Sequence, residues 1–299
     1  MSLLVIGTLA LDTVETPTDR RAEALGGSAT YFAHAARHFG PVGVVGVVGR
    51  DFPSAALEGF RAAGIDTAGI EIVAGKTFRW GGRYAADWDT RTTLFTALNV
   101  FADFVPKVPP AQRAAAYVFL ANAEPAVQMR ALEQCTSPRL VVADTMNLWI
   151  DTQREAVGEL LRRVDGIVLN DEEARMLAGG RDLVRAAGAI REMGPRFVVV
   201  KKGAQGAFLA GADLHFSLPA FLVEAVVDPT GAGDSFAGGF LGYLAAVDNL
   251  EPATLRRAMV YGTVAASFCV EGFGIETLAS LRRSAIESRY NALVSIVTP

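Results

Sequence analysis

The residues with the clearest chemical potential lie in one glycine-rich segment, Asp228–Phe240, which reads DPTGAGDSFAGGF. It follows a strand-like run, Phe221–Val227, and leads into an apolar stretch, Ser235–Val247, whose length predicts a helix. The amides of Gly231–Gly233 can turn toward one point, where the helix N-terminus adds partial positive charge, so the loop suits an anion, usually phosphate. Asp234 would repel that phosphate, but it could accept a proton from a hydroxyl that attacks it.

A structural alternative exists, because an isolated Gly-x-Gly-Asp is more often a turn followed by a helix cap. The length of the whole string favours the chemical interpretation. It is not the fingerprint of a dinucleotide-binding fold, since Phe236 stands where the third glycine would be. The chain also lacks the Gly-x₄-Gly-Lys-Ser/Thr motif, which excludes the P-loop class of nucleotide-hydrolysing enzymes.

The elements that must position this loop alternate along most of the chain, which predicts the α/β class with parallel strands covered on both faces. Short apolar, β-branched runs predict strands at Leu3–Gly7, Val42–Gly49, Tyr117–Ala121, Leu140–Ala143, Gly166–Leu169 and Phe197–Lys201. Stretches with helical spacing between them predict helices at Ala29–Phe39, Pro53–Ala63, Glu155–Arg163 and Asp182–Met193.

One region departs from this alternation. From about Ile70 to Asn99 the residues are polar, aromatic and turn-forming, with alternation of period two and a plausible hairpin turn at Gly81-Gly82. Together with Thr13–Glu23, this region predicts a small β appendage at one edge of the main sheet. The alternative is a pair of decorated surface loops.

The composition excludes several functional classes. With 51% hydrophobic and 20% charged residues, the chain is not disordered. The longest charge-free stretches have thirteen residues, and a membrane helix needs about 20. The 28 basic residues form no block and the net charge is −4, so nucleic-acid binding is not expected. Two lone cysteines and an N-terminus without a basic signal region predict a cytoplasmic protein.

The segment Asp228–Phe240 resembles the C-terminal signature of the ribokinase-like (PfkB) family of carbohydrate and nucleoside kinases, and the rest of the chain is similar from end to end. The resemblance implies a three-layer α/β/α sandwich with a mostly parallel central sheet. It also implies one kinase domain over residues 1–299, with a β lid at about 13–23 and 70–99 that closes over a sugar.

The same resemblance assigns roles within the glycine-rich segment. It implies that Asp234 is the catalytic base and that the amides of Gly231, Ala232 and Gly233 form an anion hole for the phosphoryl group transferred from ATP. Preorganised donors of this kind each contribute roughly 10²–10³ in rate.

Asn170 and Glu173 directly follow a predicted strand. In the family, Asn-x-x-Glu at this point orients Mg²⁺ and the ATP phosphates, often through water, so Glu173 is implied as a magnesium ligand of this indirect kind. Mg²⁺ keeps several of its waters, and one amide with one carboxylate is therefore enough. The same spacing is a helix capping box, and both interpretations can hold together.

A second nucleotide contact is implied at Lys201–Gly206, where a strand runs into a Gly-x-x-Gly turn. The family wraps the nucleotide at this place, so Lys201, Gly203 and Gly206 are candidate nucleotide-binding residues. A lysine pair suits a triphosphate electrostatically. A strand-end hairpin with solvated lysines is the alternative.

On the acceptor side, the family's diglycine corresponds to Gly26 and Gly27, which would let the sugar and the lid approach closely. Asp12, just after the first strand, is the candidate that grips the sugar hydroxyls; otherwise it is a turn or cap residue.

The chain departs from sugar-specific relatives at two places. Tyr31 stands where they carry an asparagine, five residues after the first glycine of the diglycine. The region around Asn122 also lacks a clear counterpart of the ribokinase glutamate that touches ribose. Asn122 or Glu124 could replace it, so Tyr31 and Asn122 are the candidate substrate contacts here.

Four further groups of residues are candidates. His34 and His38 could hold a metal from one helix face, although packing or surface exposure is the expected role. Asp144–Asn147 follows a strand at the edge where open α/β sheets bind ligands. In the family, Glu271–Gly274 corresponds to the segment closing the adenine pocket, and Asp228 is a candidate ligand of a monovalent cation such as K⁺.

Aromatic residues concentrate around the predicted lid: Phe78, Trp80, Tyr84, Trp88, Phe95, Phe101 and Phe104. They could stack on a base or a sugar face, or they could bury the lid against a second subunit in a homodimer.

The sequence therefore predicts an ATP- and Mg²⁺-dependent kinase that phosphorylates a primary hydroxyl of a small sugar. A nucleoside kinase of the same family is the first alternative, favoured by Tyr31 and the aromatic lid. A catalytically silent sugar- or nucleoside-binding protein is the second, although a pure binding protein would not need Asp234.

Overall fold

The computed structural model describes residues 1–180 and 182–298. Its strands are β1 (Leu3–Ile6), β2 (Ala10–Glu15), β3 (Arg20–Gly26), β4 (Val42–Gly49), β5 (Ile65–Val73), β6 (Phe78–Tyr84), β7 (Arg91–Ala97), β8 (Tyr117–Leu120), β9 (Leu140–Asp144), β10 (Gly166–Asn170), β11 (Phe197–Lys201), β12 (Ala207–Ala210) and β13 (His215–Leu218). Its α-helices are α1 (Ser28–Ala36), α2 (Ser54–Ala62), α3 (Pro125–Leu132), α4 (Asn147–Thr152), α5 (Arg154–Leu161), α6 (Asp171–Ala178), α7 (Leu183–Glu192), α8 (Ala232–Val247), α9 (Pro252–Cys269), α10 (Glu276–Ser280) and α11 (Arg283–Val297).

Nine strands form the large sheet, in the order β13-β12-β11-β10-β9-β8-β1-β4-β5. The strands from β11 to β5 run parallel, and β12 and β13 add antiparallel strands at one edge. Helices cover both faces of the sheet, and successive side chains of each strand point to opposite faces. Leu3 and Val5 join the core beneath α1, α8 and α9, whereas Leu4 and Ile6 join the core beneath α3 and α5.

This arrangement confirms the predicted three-layer α/β/α architecture. The strands β4 and β11 have the predicted bounds, and β1, β8, β9 and β10 agree with their predicted bounds to within one residue at each end. No helix within residues 1–180 and 182–298 is long and apolar enough to cross a bilayer.

The strands β2, β3, β6 and β7 form a separate four-stranded sheet, in the order β3-β2-β6-β7, which we call the lid. The β2–β6 pair is parallel and the other two pairs are antiparallel. The lid strands lie within residues 10–26 and 78–97, so the predicted bounds need correction. Residues 70–73 belong to the large sheet, because β5 pairs there with β4.

The Gly81-Gly82 pair was wrongly predicted as a hairpin turn, and it lies inside β6. A Cβ on Gly81 would come within 2.3 Å of the Phe95 ring, and one on Gly82 within 2.0 Å of the Trp80 ring. The glycines therefore give room to aromatic rings. The turn itself follows Tyr84, where Asp87 accepts the amide hydrogens of Asp89 and Thr90.

The run Phe221–Val227, predicted as a strand, has no regular secondary structure. The amides of Val227 and Asp228 both donate to the carbonyl oxygen of Val270, at the end of α9, at 2.8 and 3.2 Å. The segment before α8 is therefore held by a helix end and not by the sheet.

Candidate active site

Three neighbouring strands end at the same edge of the large sheet and bring polar side chains together. β9, β10 and β11 end at Asp144, Asn170 and Lys201. The Lys201 ammonium reaches across β10 to lie 3.7 Å from a carboxylate oxygen of Asp144. A Cβ placed on Gly233 would lie only 2.7 Å from the same ammonium nitrogen, so Lys201 also sits beside the start of α8.

The glycine loop, residues 229–233, leads into α8 through Gly231, whose φ of +76° favours glycine. The Tyr31 ring packs directly beneath it, and a Cβ on Gly231 would come within 2.3 Å of that ring. The Ala232 amide donates within the turn to the carbonyl oxygen of Pro229, at 3.2 Å. Amides in the first turn of a helix lack partners within the helix, which leaves this end of α8 suited to an anion.

Asp234 lies in the first turn of α8 and has the electrostatics of a base that works near neutral pH. Burial and the negative charge of Asp144 raise the pKa of Asp234 to about 7, while Lys201 and Arg91 act in the opposite direction. A carboxyl group with this pKa can accept a proton at pH 7 and hold it better than an ordinary aspartate.

Glu173 shares the same enclosed space. Burial, followed by the charge of Asp144, raises the pKa of Glu173 to about 8. Burial disfavours the charged form of Lys201, but the carboxyl groups of Asp144, Glu173 and Asp234 outweigh it and raise the pKa of the lysine. Carboxyl groups that repel one another in a confined space are the donors that a hard divalent cation stabilises.

Asn170 and Glu173 form the predicted capping box. The Glu173 amide donates to Asn170 Oδ1 at 2.8 Å, and the Asn170 amide donates to Glu173 Oε2 at 2.7 Å. The capping interpretation is therefore confirmed, and the box holds the Glu173 side chain at the end of β10. The magnesium role stays a prediction that is compatible with this geometry.

On the acceptor side, the structure brings Asp12 and the diglycine together. A Cβ on Gly26 would lie 2.0 Å from Asp12 Oδ2, and a Cβ on Gly27, whose φ is +94°, would lie 2.5 Å from the carbonyl oxygen of Thr8. Burial and then the charge of Asp228 raise the pKa of Asp12 to about 8, against the opposing amides of Gly27 and Trp80. Asp12 Oδ1 is buried and has no hydrogen-bond partner among the described residues.

Tyr31 and Asn122, the predicted substrate contacts, are both engaged with other parts of the protein. Tyr31 is 1% exposed, and its ring supports the glycine loop. The Asn122 amide is engaged on both atoms: Oδ1 accepts from the Trp149 indole at 3.2 Å, and Nδ2 donates to the Met146 sulfur at 3.2 Å. Direct substrate contact by either residue stays a prediction.

The Lys201–Gly206 segment forms the predicted strand and turn. The Lys202 amide donates to the carbonyl oxygen of Gly206 at 2.8 Å, and Gly203 and Gly206 have φ values of +53° and +84°. The hairpin alternative is thus present, since the turn joins β11 to the antiparallel β12. Lys201 itself is not solvated, because its side chain is 17% exposed.

The candidate cation ligands differ in their surroundings. Both oxygens of the fully buried Asp228 accept amide hydrogens, from Thr230 at 2.8 Å and from Gly274 at 3.4 Å, so this carboxylate braces two loops. His34 is buried with Nδ1 2.9 Å from the Thr30 carbonyl oxygen. In the part of the chain that the structure describes, no group of three or more His, Cys, Asp or Glu residues could hold a metal ion.

One residue of the site, Arg91, was missed as a candidate from the sequence. Asp144 was a candidate from its place at a strand end, but its pairing with Lys201 requires the strand order. Tyr84 was a candidate only as one of the lid aromatics, and nothing in the local sequence marks Arg91. Tyr84 reaches the glycine loop, where its hydroxyl oxygen accepts from Thr230 Oγ1 at 3.2 Å.

The family profile described as pfkB family carbohydrate kinase matches residues 9–280. Among characterised proteins, the chain is 30% identical over 245 residues to the cytidine kinase of Thermococcus kodakarensis, a match that covers 81% of this chain and 87% of that protein.

Solved structures agree on the fold. The nucleoside kinase of Burkholderia thailandensis in complex with inosine superposes with a TM-score of 0.80 at 18% identity, covering 98% of this chain and 99% of the other. An E. coli protein provisionally named ribokinase II, solved with ATP and Mg²⁺, gives a TM-score of 0.79 at 19% identity, covering 97% and 99%.

Proposed function

The chain belongs to the pfkB family of carbohydrate kinases, and from that membership we propose that it transfers the γ-phosphoryl group of ATP to a primary hydroxyl of a nucleoside or sugar. One observation carries the proposal. Asp234, with a pKa of about 7, stands at the start of α8 beside a glycine loop and the largely enclosed Lys201. That arrangement combines a base with an anion site, which transfer to a hydroxyl requires.

In the proposed reaction, Asp12 accepts hydrogen bonds from acceptor hydroxyls through its unpartnered Oδ1. Asp234 takes the proton of the attacking hydroxyl as its oxygen forms a bond to the γ-phosphorus and the bond to the ADP oxygen breaks. The amides of the glycine loop and the Lys201 ammonium stabilise the negative charge on the transferred group.

Mg²⁺ fits the donor set of this site. Glu173 and Asn170 would hold it, through water, at the end of β10, where Glu173 is 7% exposed and lies near the charge of Asp144. The ion would neutralise charge on the phosphates.

Two acceptor classes remain, and we favour a nucleoside. The relative aligned over 81% of the chain is named a cytidine kinase, and Trp80, which is only partly buried on the inner face of the lid, can contact a base. A free sugar is the second candidate, because the buried carboxylate of Asp12 beside Gly26 suits a polyol without requiring a base.

An acceptor screen tests the proposal. We would measure ADP formation from MgATP with cytidine, adenosine, inosine, ribose, fructose and other hexoses, and identify the phosphorylated product by mass spectrometry. A 5′-phosphorylated nucleoside is the expected product. Tight binding of a nucleoside or sugar with no ADP formed in any pairing would instead establish the silent binding protein. Replacing K⁺ by tetramethylammonium in the same assay tests the cation dependence predicted from Asp228.

The homodimer predicted from the lid is also a proposal. Its support is the outer strand β7, where Leu94 and Phe95 are 39% and 43% exposed at an edge of the lid. Sedimentation velocity of the wild type and of Phe95→Glu tests it: a dimer that the substitution dissociates is expected, and a monomeric wild type would contradict it.

A further inference from the structure

The hairpin formed by β6 and β7 reaches across the cleft to the phosphate side of the site. Its Tyr84 hydroxyl oxygen accepts a hydrogen bond from Thr230, in the glycine loop, at 3.2 Å. At its tip, Asp89 packs against Gly203, where a Cβ would come within 2.5 Å of the carboxylate. The lid thus touches both loops that flank the predicted phosphate position.

Arg91 is the residue directly opposite Tyr84 in the β6–β7 pairing. Opposed residues of an antiparallel pair point to the same face of the sheet, so Arg91 shares the inner face that carries the Tyr84–Thr230 contact. Its guanidinium lies 5.6 Å from the centre of the Trp80 ring, a cation–π contact that holds it on this face. Its positive charge also acts on Asp234 and Glu173, where it opposes part of the rise in pKa that burial and Asp144 cause.

On the body side of the cleft, carboxyl groups outnumber the lysine beside them, so a further positive charge is favoured opposite them. The charges of Asp144, Glu173 and Asp234 all act there on Lys201, the cation that the end of β11 contributes. A triphosphate adds further negative charge, and a phosphoryl group in transfer spreads its charge over three oxygens. Arg91 is exposed at the start of β7, and a cation on this wall can turn toward a bound phosphate and stabilise the charge.

We propose that Arg91 is a catalytic residue carried by the lid, and that its guanidinium contacts the phosphoryl group in transfer from the side opposite Lys201. The proposal rests on the proposed kinase function. Because Arg91 belongs to the lid and the glycine loop to the body, full stabilisation exists only while the lid lies on the body. Phosphoryl transfer is thereby tied to exclusion of water.

The test compares Arg91→Met with Arg83→Met, using the acceptor identified in the screen. Arg83→Met removes the same charge from the same hairpin. The Arg83 side chain lies on the other face, pairs with Glu15 and is 61% exposed. We expect Arg91→Met to lower kcat by roughly 10²–10³, with MgATP binding by calorimetry changed less than about threefold. Arg83→Met should stay within about twofold of the wild type. Added guanidinium ion should restore part of the activity of Arg91→Ala and none of that of Arg83→Ala.

Two outcomes would overturn the role of Arg91: a kcat for Arg91→Met within threefold of the wild type, or equal losses for Arg91→Met and Arg83→Met. Circular dichroism and thermal unfolding of both variants separate loss of the charge from loss of the lid, and Arg91→Lys, which keeps the charge, should retain more activity than Arg91→Met. A wild type that phosphorylates no acceptor would contradict the kinase function itself, whereas an active wild type with an unaffected Arg91→Met contradicts only this inference.

Discussion

The negative charge of Asp144 and the positive charge of Lys201 shift the pKa of Asp234 in opposite directions. Because an amide has nearly the same shape as a carboxylate but cannot accept the proton, Asp234→Asn should lower kcat by at least ~10²-fold. The dissociation constant of MgATP should change little, since the glycine loop and Lys201 stay in place. Steady-state ADP release and calorimetry measure the two quantities. A variant with near-wild-type kcat would show that Asp234 is not the base.

Removing Asp144 or Lys201 should shift the pH dependence of kcat in opposite directions. With a pKa of about 7, Asp234 in the wild type is half ionised near pH 7, so kcat should rise with pH through this region and level off above it. Asp144 raises the pKa of Asp234, so Asp144→Asn should move the rise to lower pH. Lys201 lowers that pKa, so Lys201→Met should move the rise to higher pH.

The expected displacement is roughly one pH unit in each case, read from kcat profiles between pH 5 and 9. General damage to the site would lower kcat in both variants without moving the two profiles apart. Displacements in the same direction would therefore contradict the electrostatic role of the pair. The double variant provides the matched control, since its profile should lie between those of the single variants.

At the scale of elements, the link between β3 and α1 depends on one backbone conformation. Gly27 has a φ of +94°, and a Cβ there would lie 2.5 Å from the carbonyl oxygen of Thr8. Gly27→Ala should therefore lower the free energy of unfolding by about 1–3 kcal/mol. Gly59→Ala is the control: it lies on the exposed face of α2 with no atom within 4 Å of the new Cβ, and should raise stability by about 0.5–1 kcal/mol. Urea unfolding measures both, and equal effects would contradict the argument.

The sequence could predict the elements whose signals are local. The strands β4 and β11 are valine-rich apolar runs that are almost entirely buried, so their bounds agree with the structure. The Asn170–Glu173 capping box is also local, and both of its hydrogen bonds form. Gly81 and Gly82 misled the prediction, because they make room for Phe95 and Trp80 rather than for a turn.

The parts of the site that sequence could not supply depend on tertiary order. Lys201 meets Asp144 only because β9, β10 and β11 are neighbours in the sheet, although 56 residues separate the two in the chain. Arg91 reaches the site only because the lid folds back over the body. No periodicity or spacing encodes these contacts.

At the scale of the whole molecule, a small apolar cluster joins the lid to the body. Val14 and Tyr84 of the lid pack with Phe273, which belongs to the loop after α9, and Trp80 and Val227 pack against them. The Arg21 guanidinium covers the Phe273 ring at 5.2 Å. The Asp228 carboxylate bonds the next residue of that loop, Gly274. The cluster therefore couples lid position to the loops that carry the glycine turn.

Loosening this cluster should uncouple ATP consumption from acceptor phosphorylation. Phe273→Ala removes the ring that both the lid and Val227 contact, so the lid should spend more time away from the body and admit water to the site. The ratio of ADP released to acceptor phosphorylated, close to one in the wild type, should then rise severalfold while the acceptor KM increases. Phe273→Leu keeps most of the apolar contact and should stay near the wild-type ratio. A Phe273→Ala enzyme that remains fully coupled would show that lid docking does not control access of water.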